Sequence, residues 1–188
     1  MATGRQYTAL LRGINVGGSN IIRMGDLKAC FEGVGFGDVA TYIQSGNVLF
    51  ASPERDTAAL RTAIERALLK AFGLPVLACV LPHAGLSRVV TRAPPGFGAA
   101  PALYRYDVIF VMSPLTPGKV LREVRLREGV DAAATGPGVL YFSRLAARAS
   151  QSHLSKLAAL PLYRQVTARN WNTTTRLLAL MDARALHP

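Results

Sequence analysis

The chain has 188 residues, 50% of them apolar, enough to bury one good core or two small ones without disulfide or metal staples. Its formal charge of +11 is carried mainly by dispersed arginines such as Arg12, Arg55, Arg88, Arg122 and Arg164; scattered charge attracts polyanions without forming a footprint, so nucleic acid is a partner that is admitted but not favoured. No segment approaches the roughly 18 continuous apolar residues of a membrane helix, and Met1 to Arg12 lacks the apolar run of a signal peptide, so a membrane-free, cytoplasmic protein is expected.

Tyr7 to Leu11 is a short apolar run closed by Arg12-Gly13 and is predicted as a buried strand. Met24, Leu27, Phe31 and Val34 place one apolar stripe on a helix that ends in the glycine cluster Gly33, Gly35 and Gly37. Val39 to Gln44 and Asn47 to Ala51, joined by Ser45-Gly46, read as a hairpin. Ser52-Pro53-Glu54 has the order of a cap, a first-turn proline and an acid. It is expected to open a helix whose buried face holds Leu60, Ile64, Leu68 and Phe72. Gly73 and Pro75 stop that helix, and Val76 to Leu81 follows as a strand. The order strand, helix, strand, strand, helix, strand is that of the split β-α-β unit of ferredoxin-like folds.

A connecting helix is expected around Ala84 to Arg92, then a Pro/Gly-rich loop from Ala93 to Pro101. The pattern repeats: a strand from Tyr104 to Met112, a helix from Lys119 to Glu128 entered through Thr116-Pro117, strands at Asp131 to Thr135 and Val139 to Arg144, a helix from Ser152 to Leu160, and a strand from Gln165 to Ala168. An extra helix, Trp171 to Met181, closes the chain. The expected fold is thus α+β, with two tandem ferredoxin-like (βαββαβ) subdomains plus a C-terminal helix. The divisions fall at 1–83, a connector over 84–103, and 104–188 with the last helix. Because Val108, Phe110 and Met112 alternate with Ile109 and Val111, both faces of that strand are apolar and both need cover.

In this strand order the exit of the first strand and the following hairpin share one end of the sheet. That brings the loop Arg12 to Asn20 beside Gln44-Ser45-Gly46-Asn47. Gly13, Gly17 and Gly18 would let backbone N–H groups approach an oxyanion and Arg12 would add charge, which suits a phosphate or carboxylate. The loop is neither a P-loop nor a G-x-G-x-x-G turn. A purely structural reading competes, in which the glycines permit a tight turn while Asn15 and Asn47 bond local backbone. Arg169-Asn170-Trp171-Asn172 is a second polar cluster, in which Asn170 reads first as the cap of the last helix.

Catalytic constellations are scarce. His83, His153 and His187 have no metal-ligand spacing, and Cys30 and Cys79 read as small buried hydrophobes. Neither cofactor nor metal is expected. Asp107, an acid in an apolar strand, is expected at a sheet edge or paired with an Arg. The strands at Asn47 and Val139 lack the spaced aromatics of RNA-recognition modules.

Three stretches, Tyr7 to Gly18, Thr41 to Phe50 and Thr167 to Thr173, resemble the bacterial family catalogued as domain of unknown function 1697. The resemblance spans nearly the whole chain, although 84–164 carries little motif. It implies two ferredoxin-like subdomains and no assigned activity or catalytic residue. Its motifs fall on both polar clusters, so a shared site of Arg12, Asn15, Gly17, Gly18, Ser45, Asn47, Arg169 and Asn170 is the expected place for any function. The functional classes rank as a small-anion binder, enzymatic or not; then a nucleic-acid-associated basic module; then an assembly module that forms homo-oligomers through its doubly apolar strands.

Overall fold

In the computed structural model, residues 4–18 and 20–185 are described; Ser19 and His187 lie outside the described residues. The fold is mixed α+β, with two four-stranded antiparallel sheets and a C-terminal helix. The chain divides into two compact units, one running to Leu86 and resuming at Leu177, the other comprising Ser87–Arg176.

In the first unit, β1 (Arg5–Leu11), α1 (Met24–Gly33), β2 (Gly37–Tyr42), β3 (Asn47–Ser52), α2 (Thr57–Phe72) and β4 (Ala78–Pro82) follow in order, and the sheet runs β2-β3-β1-β4. Alternation along the central strands sends Tyr7, Ala9 and Leu11 of β1 and Val48 and Phe50 of β3 into one core with Leu27 and Phe31 of α1 and Leu60, Ile64 and Leu68 of α2. Thr8, Leu10, Leu49 and Ala51 on the opposite face are also buried, so these strands are covered on both sides. The helix expected to open at Ser52 begins at Thr57 instead. Ser52 is still paired with Arg5 in the sheet, and Asp56 takes the capping role by accepting the Ala58 N–H at 2.8 Å.

α3 (His83–Thr91) leads out of this unit. The second unit holds β5 (Tyr104–Val111), α4 (Pro117–Glu123), β6 (Asp131–Gly136), β7 (Val139–Leu145) and β8 (Val166–Asn170), in the sheet order β6-β7-β5-β8. Its core joins Ile109, Leu140, Phe142 and Val166 of the sheet to Val120 and Val124 and to Leu157 and Leu162. α4 stops at Glu123, earlier than the periodicity suggests, because Val124 is extended.

The helix expected over Ser152 to Leu160 is replaced by 3-10 segments at Ala146–Gln151, His153–Ala159 and Pro161–Gln165. Ser152 does cap, accepting the Leu154 N–H at 3.1 Å. Leu160, however, stands before a proline and is extended, as steric contact with the ring requires. With one buried anchor in each of the last two segments, Leu157 and Leu162, no continuous apolar stripe rewards a longer α-helix.

α5 (Trp171–Ala185) starts in the second unit and ends in the first. In the first unit it contributes the fully buried Leu177 and Met181. Its end is tied down by Arg184, which donates to the Asp38 carbonyl at 2.7 Å, and by Asp182, which pairs with His83. Among the described residues no helix is long and apolar enough to cross a membrane.

Candidate functional site

Antiparallel pairing of β1 with β3, with Leu10 opposite Asn47, sets the exit of β1 beside the β2–β3 hairpin, and the Leu11 N–H donates to the Gly46 carbonyl at 2.8 Å. Asn15 then staples the glycine loop to that hairpin. Its Nδ2 donates to the carbonyls of Ile22 and Gln44, both at 2.9 Å, and its Oδ1 accepts the Ile22 N–H at 2.7 Å. Asn47 is fully buried, and its Nδ2 donates to the Tyr42 carbonyl and the Ser45 hydroxyl, both at 3.0 Å. These amides therefore fix the shape of the rim, as buried polar groups must be satisfied.

The backbone here is unusual. Gly13, Gly17, Gly18 and Gly46 have positive φ, and so do Asn15 and Asn20; Ile43, at φ 48°, is a β-branched residue in the left-handed region. That conformation costs about 1–2 kcal/mol for a residue with a Cβ. Val16, Ile21 and Ile43 are exposed apolar side chains on the same rim. No Asp or Glu occurs from Leu11 to Arg23 or from Thr41 to Asn47, so the first segment is positive through Arg12 and Arg23 and the hairpin beside it is neutral.

The second unit repeats this backbone with different side chains. The Val111 N–H donates to the Gly138 carbonyl at 2.9 Å, and the Met112 N–H to the Gln165 carbonyl at 2.9 Å, matching Leu11 to Gly46 and Arg12 to Leu77. Phe110 lies opposite Val139 as Leu10 lies opposite Asn47. Met112 thus stands where the first unit has Arg12, and Val139 where it has Asn47.

Of the residues expected to share a site, Arg12, Asn15, Gly17, Gly18, Ser45 and Asn47 occupy the rim of the first unit, whereas Arg169 and Asn170 belong to the second. Arg169 is buried, and its Nη1 donates to the Thr167 hydroxyl at 3.1 Å and the Ala168 carbonyl at 2.8 Å. Asn170 caps α5, accepting the Thr173 N–H at 2.7 Å.

Asp107 has the arginine partner expected of it: Arg144 Nη2 lies 3.3 Å from Asp107 Oδ2. Burial pushes this carboxyl up from its ordinary range, and the attraction of Arg144 only partly offsets that. Neither Asp107 Oδ2 nor Arg144 Nε, both buried, has a hydrogen-bond partner, so the pair is held by charge and not by a well-aligned bond. Asp131 on β6 behaves oppositely. Burial raises it, but the Ser152 hydroxyl and the backbone N–H groups of His153 and Arg127 outweigh that and leave it lowered.

Sequence reasoning missed the clefts beside this pair. One, of about 270 Å³, is lined by Arg105, Asp107, Arg144 and Asn172 among others. A neighbouring one of similar volume is lined by Phe97, Tyr104, Tyr106 and Tyr141. The two-residue spacing of Tyr104 and Tyr106 was the available signal, since it places both rings on one face of a strand. Among the described residues no cluster of His, Cys, Asp and Glu could hold a metal ion.

A family model described as "Protein of unknown function (DUF1697)" matches residues 5–141, a span that ends short of Arg169 and Asn170. No curated protein matches the chain. Among solved structures, the conserved bacterial protein SP0830 from Streptococcus pneumoniae is similar at 24% identity, covering 95% of this chain and 99% of its own, with a TM-score of 0.83. At that identity the likeness shows the fold alone.

Proposed function

The chain belongs to the DUF1697 family of proteins of unknown function, and from that premise we propose that it binds a small anionic ligand on the rim of its first unit. Each unit reads as a ferredoxin-like plait, a reading supported by the strand orders β2-β3-β1-β4 and β6-β7-β5-β8. The comparison of Arg12 with Met112 carries the functional reading. The same strand exit and the same pair of backbone hydrogen bonds form with methionine at that position, so these bonds form without a charge there. The four-residue hairpin loop of the first unit does use Asn15 and Asn47, whose amides bond the Ile22, Gln44 and Tyr42 carbonyls and the Ser45 hydroxyl and so shape the loop that carries Gly17 and Gly18 before any ligand arrives. Such preorganisation lowers the cost of binding.

The test is a thermal-shift and calorimetric titration of the full chain with inorganic phosphate, pyrophosphate and citrate. A ligand that binds only the folded state raises Tm by mass action. The expected result is a concentration-dependent rise with at least one of these anions that is lost in Arg12→Met, the residue the second unit tolerates at the same place. No response to any of the three, or an undiminished response in the variant, removes the proposal.

A further inference from the structure

We propose that the second unit carries a separate two-part site for a flat aromatic ring joined to an anionic group. Its halves are the two neighbouring clefts, each of about 270 Å³, that share Tyr104 and Tyr106 as a common wall.

The ring half is built by register. Ala132 pairs with Ser143 and Ala134 with Tyr141, so β6 brings only methyl groups to the face where Tyr104, Tyr106 and Tyr141 stand, and a groove is left above it. Its far wall is rigid. Phe97 lies edge-on to Tyr106, Tyr141 and Trp171, at centroid distances of 4.9, 5.3 and 5.1 Å, and the Tyr141 hydroxyl donates to the Val89 carbonyl at 2.6 Å. Gly98 permits that arrangement, because a Cβ there would come within 2.2 Å of the Trp171 indole nitrogen. Tyr104 differs from these packed rings. It is 36% exposed, with its centroid 6.0 Å from that of Tyr106, and so offers a face on which a planar ligand can stack.

The anion half lies on the other side of the same two tyrosines. Arg105 and Arg144 face each other across β5 and β7, and both line the second cleft with Asp107 as the one carboxylate. Asp107 is engaged with Arg144 at 3.3 Å, whereas Arg105 has no carboxylate within ion-pair distance among the described residues. Two guanidinium groups against one carboxylate leave the cleft positive, and the buried Arg144 Nε has no acceptor. A phosphate or carboxylate held a short distance from a stacked ring would answer the positive charge that Arg105 and Arg144 bring to the cleft. Nucleotides and aromatic acids share this chemistry.

The test is calorimetric titration of the full chain with adenosine monophosphate, phenylpyruvate, adenosine and inorganic phosphate, repeated on Tyr104→Ala, Arg105→Ala and Arg12→Met. Tyr104 and Arg105 are exposed, so both variants are expected to keep the wild-type circular dichroism and Tm. Binding of either bifunctional ligand, weakened about tenfold or more by each second-unit variant and untouched by Arg12→Met, supports the site. The ligand that binds names the source, nucleotide or aromatic acid. Absence of binding by both bifunctional ligands, equal binding by adenosine alone, equal binding by phosphate alone that persists in Arg12→Met, or indifference to Tyr104→Ala and Arg105→Ala overturns it. Arg12→Met separates this outcome from failure of the first-unit rim.

Discussion

The two units have the same sheet topology down to individual turn-closing hydrogen bonds, yet they fill the second helical position differently. In the first, Asp56 caps a 16-residue α-helix that lays Leu60, Ile64 and Leu68 along one face, and Gly73 ends it in the left-handed conformation. In the second, the corresponding chain advances as short 3-10 segments, pinned at Leu157 and Leu162. The rims also differ. A four-residue hairpin loop braced by Asn47 in one unit corresponds to the tight Pro137-Gly138 turn in the other, and Arg12 corresponds to Met112. A strand order of this kind therefore fixes the positions of strand exits while leaving open what chemistry they carry.

The largest expected effect tests the helical difference. Ile64→Ala should cost about 4 kcal/mol, since a buried residue in a regular helix leaves a cavity that its neighbours cannot close, and Leu157→Ala about 2 kcal/mol, because irregular turns relax around the gap. Urea denaturation measures both, and equal losses would break the contrast between a firm helix and adaptable turns. The matched turn glycines sharpen it next. Gly46 and Gly138 both have positive φ, 77° and 72°. A Cβ on Gly46 would meet the side chains of Ile14 and Leu11 at 2.8–2.9 Å, whereas one on Gly138 would meet nothing within 4 Å. Gly138→Ala should therefore cost the left-handed penalty alone, about 1 kcal/mol, and Gly46→Ala, with overpacking added, about 3 kcal/mol. Similar midpoints for the two would show that the rim of the first unit yields as easily as that of the second.

The strands were legible because each is a β-branched or apolar run bounded by glycine or proline, and every strand was expected at its observed place within a few residues. Asn170 was legible as a cap for the same local reason: the side chain that accepts the N–H sits beside the helix it starts. Thr116-Pro117 was legible as the entry to α4, where the Thr116 side chain accepts the Lys119 N–H. The helix over Ser152 to Leu160 was not. Its spacing of Leu154, Leu157 and Ala158 fits 3.6 residues per turn, and only the packing decides between α and 3-10. Ser52 misled in a related way, because a residue still paired in β3 cannot cap a helix. The rim was legible in outline, since pairing order places Arg12 near Asn47, but the left-handed Ile43 carries no local signal. The clefts of the second unit depend on the register between β5 and β7, which brings Arg105 opposite Arg144, and on Phe97 folding back from a Pro/Gly-rich loop. No periodicity along one segment encodes either.

The smallest expected effect probes charge within the second sheet, where two acids shift in opposite directions. The carboxyl of Asp107 is raised by burial. Its contribution to stability is therefore fully present below the ordinary aspartate range and is lost as pH rises through the raised folded value. Asp131 is lowered, so its contribution is present above the ordinary range and is lost as pH falls through the lowered folded value. Asp131→Asn should cost about 1 kcal/mol near neutral pH, the worth of hydrogen bonds to a charged acceptor, and the deficit should close on acidification. Asp107→Asn should behave in reverse: relative to wild type, the variant gains as pH rises through the window just above the ordinary aspartate range. Tm profiles from acid to neutral pH would show two difference curves of opposite slope. If both slopes have the same sign, the attraction of Arg144 outweighs the burial of Asp107. The cleft beside them would then be more nearly neutral than its two guanidinium groups suggest, because the carboxylate would stay ionised against Arg144 throughout.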